Sequence, residues 1–173
     1  MKSISIFLFL LITLASNAQD NKTSGLNARQ FHKYWKVESE SPDYKVTFRG
    51  DTAEILSPKG LTLWRKEKMS GKVTIEYDAC VVCMVLQGGK YDRLSDLNCF
   101  WMASDPQYPD NIWKREKWRN GIFLNCYSLQ LYYMGYGGNH NSTTRFRRYD
   151  GNEAAVTNAK ARPAILKEYT DAD

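Results

Sequence analysis

Histidine is scarce in this chain, with two residues in 173, and cysteine numbers only four. That leaves little material for a metal cluster, since a structural zinc site consumes four nitrogen or sulfur ligands. No metal site is therefore expected. Calcium is left open among the Asp and Asn residues, with no twelve-residue loop pattern to specify it. Residues 4–15 form an apolar run too short to span a bilayer, and no run of about 18 apolar residues follows it, so no transmembrane helix is expected in the rest. The Gly-x-Ser-x-Gly of serine hydrolases is missing. Lys and Arg outnumber Asp and Glu by 24 to 19, a net charge of +5, yet they form no clustered basic motif, which argues against a nucleic-acid partner.

What is present begins with a targeting signal. Lys2 precedes the apolar run, and Ser16-Asn17-Ala18 supplies a small-x-small site. The arrangement reads as a secretory signal peptide over residues 1–18, cleaved after Ala18. No Cys follows, so a lipid anchor is not expected. The mature chain is expected in a periplasm or outside the cell, where disulfides are permitted. Residues 19–30 are polar and read as a flexible leader, and residues 31–173 as one domain.

Within that domain the pattern is β. Residues 45–48 and 52–56 alternate, Pro58-Lys59-Gly60 is a turn, and residues 61–65 follow. The clearest alternation covers 72–82, with Val73, Ile75, Tyr77, Ala79 and Val81 on one side and Lys72, Thr74, Glu76 and Asp78 on the other. Further strands are expected over 98–103, 123–134 and 143–149, with one short helix within 111–120. A sheet with one apolar face must bury it against another layer. The pattern predicts an all-β, two-sheet antiparallel sandwich or jelly roll.

Two segments carry a resemblance: Asp92-Arg-Leu-Ser-Asp-Leu-Asn-Cys-Phe-Trp-Met-Ala-Ser-Asp105 and Gly137-Gly-Asn-His-Asn-Ser-Thr-Thr-Arg-Phe-Arg-Arg-Tyr149. In them the chain resembles a secreted domain of unknown function from polysaccharide-degrading bacteria, grouped with the concanavalin-A-like lectins and glucanases. The resemblance runs from about Phe31 to Asp171. It implies a jelly roll and a carbohydrate partner. Relatives in that family continue past Glu168-Tyr169-Thr170-Asp171 with closing strands, so the resemblance also implies a truncated C-terminus. The Glu-x-Asp-x-x-Glu strand of the jelly-roll endoglucanases is lacking: Glu76-Tyr77-Asp78-Ala79 runs on into Cys80-Val81. Retaining hydrolysis is disfavoured on that ground.

Three groups of residues are candidates for chemistry. Asp92, Arg93, Asp96 and Asn98 follow the Gly88-Gly89 turn and precede an apolar strand. Asp92 and Asp96 are candidates for the acid and base pair that glycoside cleavage needs, and the group as a whole for shaping a sugar subsite, against the plainer reading of a solvated loop. Asn139, His140 and Asn141 follow the Gly137-Gly138 turn, and Arg145, Arg147 and Tyr149 fall on one strand face while Phe146 and Arg148 fall on the other, Phe146 towards the core. A same-face Arg pair beside Asn suits a carboxylate, which guanidinium forks bind with two hydrogen bonds. A lyase acting on a uronate-containing glycan needs that neutralisation together with a base and an acid. His140, Tyr132 and Tyr149 are the candidates for moving the proton. Asn139, Asn141, Arg145 and Arg147 are the candidates for binding the carboxylate. The plainer reading is a basic outer face with an Asn-Gly hairpin.

The third group is aromatic. Tyr and Trp number 11 and 5, and aromatic faces stack on pyranose rings. Trp113 and Trp118, among Lys114, Arg115, Lys117 and Arg119, are expected nearer the surface. Cys80-Val-Val-Cys83 has redox spacing without the helix that a redox site needs. Structural thiols or disulfides among Cys80, Cys83, Cys99 and Cys126 are the better readings, with the pairing open. The expectation is a secreted carbohydrate-active protein, a polysaccharide lyase in the first instance, on an anionic polysaccharide or oligosaccharide. A non-catalytic carbohydrate-binding module, or an inactive truncated fragment, is the alternative.

Overall fold

The computed structural model describes residues 26–50, 52–81 and 97–170, without the side chains of Asn139 and His140. The expected signal peptide, most of the leader, and Asp92, Arg93 and Asp96 lie outside the described residues. No helix among the described residues is long and apolar enough to cross a membrane.

A one-turn helix α1 (Phe31–Tyr34) leads into β1 (Trp35–Ser39), followed by β2 (Lys45–Arg49), β3 (Thr52–Leu56) and β4 (Leu61–Arg65). These four strands make one long interrupted hairpin. At its tip Lys45 pairs with Leu56 and Arg49 with Thr52; at its base Trp35 pairs with Arg65 and Ser39 with Leu61. The turn at the tip passes through Gly50, whose φ of +59° suits a residue without Cβ. In β2 the alternation is visible in burial: Val46 and Phe48 are half-buried while Lys45, Thr47 and Arg49 are exposed. Phe48 meets Phe31 edge to face at 5.3 Å, which ties the hairpin tip to α1.

The second part is a four-stranded antiparallel meander in the order β5 (Leu97–Ser104), β6 (Gln130–Gly137), β7 (Thr143–Asp150), β8 (Ile165–Thr170). Between β5 and β6 the chain runs through a 3-10 turn (Ile112–Arg115), the helix α2 (Glu116–Arg119) and a second 3-10 segment (Phe123–Ser128). The short helix expected within 111–120 is thus present. Asn111 starts it by accepting the Trp113 amide at 3.0 Å, and Asn120 (φ +43°) and Gly121 (φ +72°) stop it in left-handed backbone.

The core lies between one face of the meander and these connections. Trp64, Cys126, Tyr127, Leu129, Leu131, Tyr149 and Ala155 form its buried centre, with Phe100, Phe123 and Tyr133 packed against it. Burial of a side chain such as Leu129 or Leu131 stabilises by about 1.5–3 kcal/mol. Arg119 is also buried here. Its Nε and Nη2 donate to the two Glu38 carboxylate oxygens at 3.2 and 2.7 Å, and its Nη1 donates to the Ile112 carbonyl at 2.7 Å. Cys80, Cys99 and Cys126 are free thiols; Cys83 lies outside the described residues.

The architecture is mostly β, with antiparallel sheets, compatible with a β-sandwich. Two expected strands differ. The alternating stretch 72–82 has no regular secondary structure over 72–81, and Val73, Ile75, Tyr77 and Val81 are 43–55% exposed. Alternation records a face suited to burial, but a strand needs a neighbour to accept its backbone groups, and no described strand pairs with this stretch. The expected strand 123–134 begins as 3-10 turns and becomes β only at Gln130. Asn125, Cys126, Tyr127 and Ser128 are buried on consecutive positions, which a single strand face does not allow. Phe146 is half-buried on the face away from this core. It stacks there with Trp101 and Tyr132 at centroid distances of 6.0 Å each.

Candidate functional site

Register across the meander sets three rows on the core-side face. Leu131 and Tyr149 pair in the first. Phe100, Tyr133 and Arg147 align in the second, and Asn98, Gly135, Arg145 and Glu168 in the third. The rows grade from buried and apolar to half-exposed and polar, because the 3-10 segment and Trp64 cover the first row and pack on Phe100 and Tyr133 of the second, leaving Arg147 and Arg145 half-buried. The chemistry-bearing side chains of the described sheet collect in that third row and at its border.

Tyr133 stands at the border. Its ring lies among Phe100, Phe123 and Tyr149, with centroid distances of 5.7, 5.9 and 5.5 Å. Its hydroxyl reaches across Gly135 and donates to Asn98 Oδ1 at 2.9 Å. A Cβ at Gly135 would overlap the Tyr133 phenol, so this crossing requires glycine there. Arg147 is the direct cross-strand partner of Tyr133. Its Nη1 donates to the Pro163 carbonyl at 3.4 Å, and its buried Nε has no hydrogen-bond partner. Arg145 donates from Nε to the Glu168 carboxylate on β8.

The link between β6 and β7 is the single helical turn α3 (Gly138–Asn141), bracketed by left-handed backbone at Gly137 (φ +71°) and Asn141 (φ +63°). Thr143 Oγ1 donates to the Gly138 carbonyl at 3.3 Å and closes the loop. The loop leaves β6 two residues beyond Gly135 and enters β7 two residues before Arg145, at the polar end of the face. Asn141 is exposed in it. The side chains of Asn139 and His140 lie outside the described residues.

The structure therefore brings Asn98, Arg145 and Arg147 together on one face with Asn141 in the adjoining turn. Tyr132 projects from the opposite face, in a cluster with Trp101 (5.8 Å) and Phe146 (6.0 Å). Tyr149 shares the face of the Arg pair, as its parity requires, but sits at the covered end. It is 1% exposed, its hydroxyl has no hydrogen-bond partner, and burial, together with Tyr127 and Tyr133 nearby, pushes its phenol well above the usual range. Tyr133 was not singled out by sequence reasoning as a proton-moving group. The only local signal was the glycine two residues on; pairing Tyr133 with Arg147 required the β6–β7 register. Trp118 is exposed, with the Arg115 guanidinium 4.1 Å from its ring, and Trp113 is half-buried under Lys36. No cluster of three or more metal-ligating side chains occurs among the described residues.

The arrangement is a sheet face with a fixed phenol, an amide accepting from it, two guanidiniums and one carboxylate. Such a set can grip an anionic, hydroxyl-rich ligand and exchange a proton with it. The model of the family described as Domain of unknown function (DUF6250) matches residues 55–173, which takes in the end of β3, the strand β4 and the whole meander. The chain belongs to that family. No curated protein and no solved structure matches it.

Proposed function

We propose that this protein is a secreted, carbohydrate-active jelly roll of the concanavalin-A-like kind, and that it cleaves a uronate-containing glycan by elimination. The observation that carries the proposal is the Tyr133–Asn98 hydrogen bond on the same face as Arg145 and Arg147. In this mechanism the guanidinium of Arg147 and the amide of Asn98 hold the uronate carboxylate and offset the charge that develops when the neighbouring carbon loses its proton. Tyr133 first releases its hydroxyl proton to solvent, giving up its bond to Asn98 Oδ1, and the resulting phenolate takes the proton from C5. The electron pair becomes the C4–C5 double bond, the C4–O bond breaks, and the departing oxygen takes a proton from Tyr133 or His140. Asn139 and Asn141 belong to the adjoining turn and are proposed to line the subsite; Asp92, Arg93 and Asp96, which lie outside the described residues, are proposed for it from the sequence alone.

Elimination is proposed ahead of hydrolysis because the Glu-x-Asp-x-x-Glu strand of the retaining endoglucanases is lacking, while this face presents two guanidiniums suited to a carboxylate. The second reading is a binding module, supported by the same basic and aromatic residues. Tyr133→Phe separates the two. For a lyase, turnover falls by about 10²–10⁴-fold with oligosaccharide affinity retained. A protein that binds a uronate oligosaccharide and yields no product with either variant is a module.

A further inference from the structure

The two arginines of the face are not equivalent. Arg145 and Glu168 are direct cross-strand partners, and the carboxylate holds the Arg145 Nε. Glu168 belongs to β8, whose residues are all exposed, and its side chain is 41% exposed against 29% for Arg145. Among the described residues Arg147 has no carboxylate partner. It makes one long bond to a backbone carbonyl, and its Nε is unpaired.

A carboxylate already resting on a guanidinium does to that guanidinium what an incoming carboxylate would do. It takes up donors of the fork, cancels the charge, and repels a second anion. From this asymmetry we propose that Glu168 is an internal stand-in for a ligand carboxylate that keeps Arg145 occupied, so that Arg147 alone receives the uronate carboxylate, and that Glu168 thereby sets how many carboxylates the face accepts. The inference rests on the uronate reading and adds a specificity determinant to it. A single uronate group meets Arg147, Asn98 and Tyr133. A neighbouring sugar placed over the Arg145–Glu168 pair meets a neutral hydrogen-bonding surface, which suits a glycan whose uronates alternate with uncharged sugars. Removing Glu168 turns the same surface into a second cationic subsite, suited to a run of contiguous uronates.

The test is calorimetric titration of the full chain and four variants with a tetrauronate, and with a tetrasaccharide of alternating uronate and neutral sugars. A thermal melt of each variant confirms folding. Glu168→Gln binds the tetrauronate roughly five- to tenfold tighter at low salt, the gap closing at high salt, while the alternating probe gains less than about twofold. Arg145→Gln weakens both probes, because Glu168 is left uncompensated beside the ligand. The double variant Arg145→Gln/Glu168→Gln returns to within about twofold of the wild type. Arg147→Gln abolishes binding. If the double variant binds no better than Arg145→Gln, Arg145 is itself the carboxylate ligand and the inference is overturned. If Glu168→Gln binds the tetrauronate no better than the wild type does, Glu168 blocks nothing and the inference is equally overturned. Wild-type protein that binds the probes but yields no product removes the lyase reading and leaves this inference standing. Absence of binding by every form, Glu168→Gln included, removes both.

Discussion

The Tyr133 hydroxyl donates to Asn98 Oδ1 at 2.9 Å, and it reaches that amide only because residue 135 has no side chain. The pair joins two adjacent strands at the line where the aromatic core gives way to the polar end of the sheet. The ring is held by Phe100, Phe123 and Tyr149, so the position of the hydroxyl is set by packing and not by the hydrogen bond alone.

Gly135→Ala tests that geometry. The added methyl overlaps the phenol, and the ring is confined on the other side by three aromatic neighbours. The expected result is a loss of about 1–3 kcal/mol in urea denaturation together with loss of turnover. A variant with wild-type stability and turnover would show that Tyr133 does not need to cross this position.

The Glu38–Arg119 pair ties the first hairpin to α2, with side chains 4% and 1% exposed. Glu38→Gln leaves a buried guanidinium without its counter-charge and is expected to cost about 3–5 kcal/mol in a denaturant titration. Replacing both residues with apolar ones of similar size is expected to cost much less. A single variant within about 0.5 kcal/mol of wild type would contradict the burial.

Stability is expected to decline on the alkaline side. Burial, reinforced by the Glu38 carboxylate and partly opposed by Arg119, pushes the Cys126 thiol up from 9.0 to about 12. The folded-state value is raised, so this contribution is fully present below about pH 9 and is lost as pH climbs towards 12. Tyr149, raised by burial, acts with the same sign. Thermal melts between about pH 8 and 11 should show a steeper fall for the wild type than for Cys126→Ala, by up to about 1.4 kcal/mol per pH unit. Parallel curves would contradict it. The lower starting stability of the variant does not affect the comparison, which is one of slopes.

Parity explains much of what the sequence made legible. Residues two apart on a strand share a face, and Arg145, Arg147 and Tyr149 do so in the structure. Parity does not encode depth. Tyr149 lies at the covered end because the 3-10 segment Phe123–Ser128 packs there, and that segment reads as a strand in the sequence. The choice between Tyr132 and Tyr133 needed the β6–β7 register, which the turn through Gly137 and Asn141 fixes and a one-residue slip would invert. The pattern over 72–82 misled for the opposite reason. Its alternation is regular, but the pairing that makes a strand is a property of neighbours, not of the segment. The short helix, the tip of the long hairpin and its last strand β4 were legible because their signals are local: Asn111 and Asn120 bounding the helix, and alternating runs either side of Gly50; β1, which pairs with β4 at the base, was not read from the sequence.

The most direct measurement is ultraviolet absorbance of the purified protein incubated with a panel of uronate polysaccharides, both contiguous and alternating with neutral sugars. Elimination at a uronate predicts a rising signal from an unsaturated product on at least one member, absent in Tyr133→Phe. A flat trace across the whole panel, with a folded protein, would contradict the account.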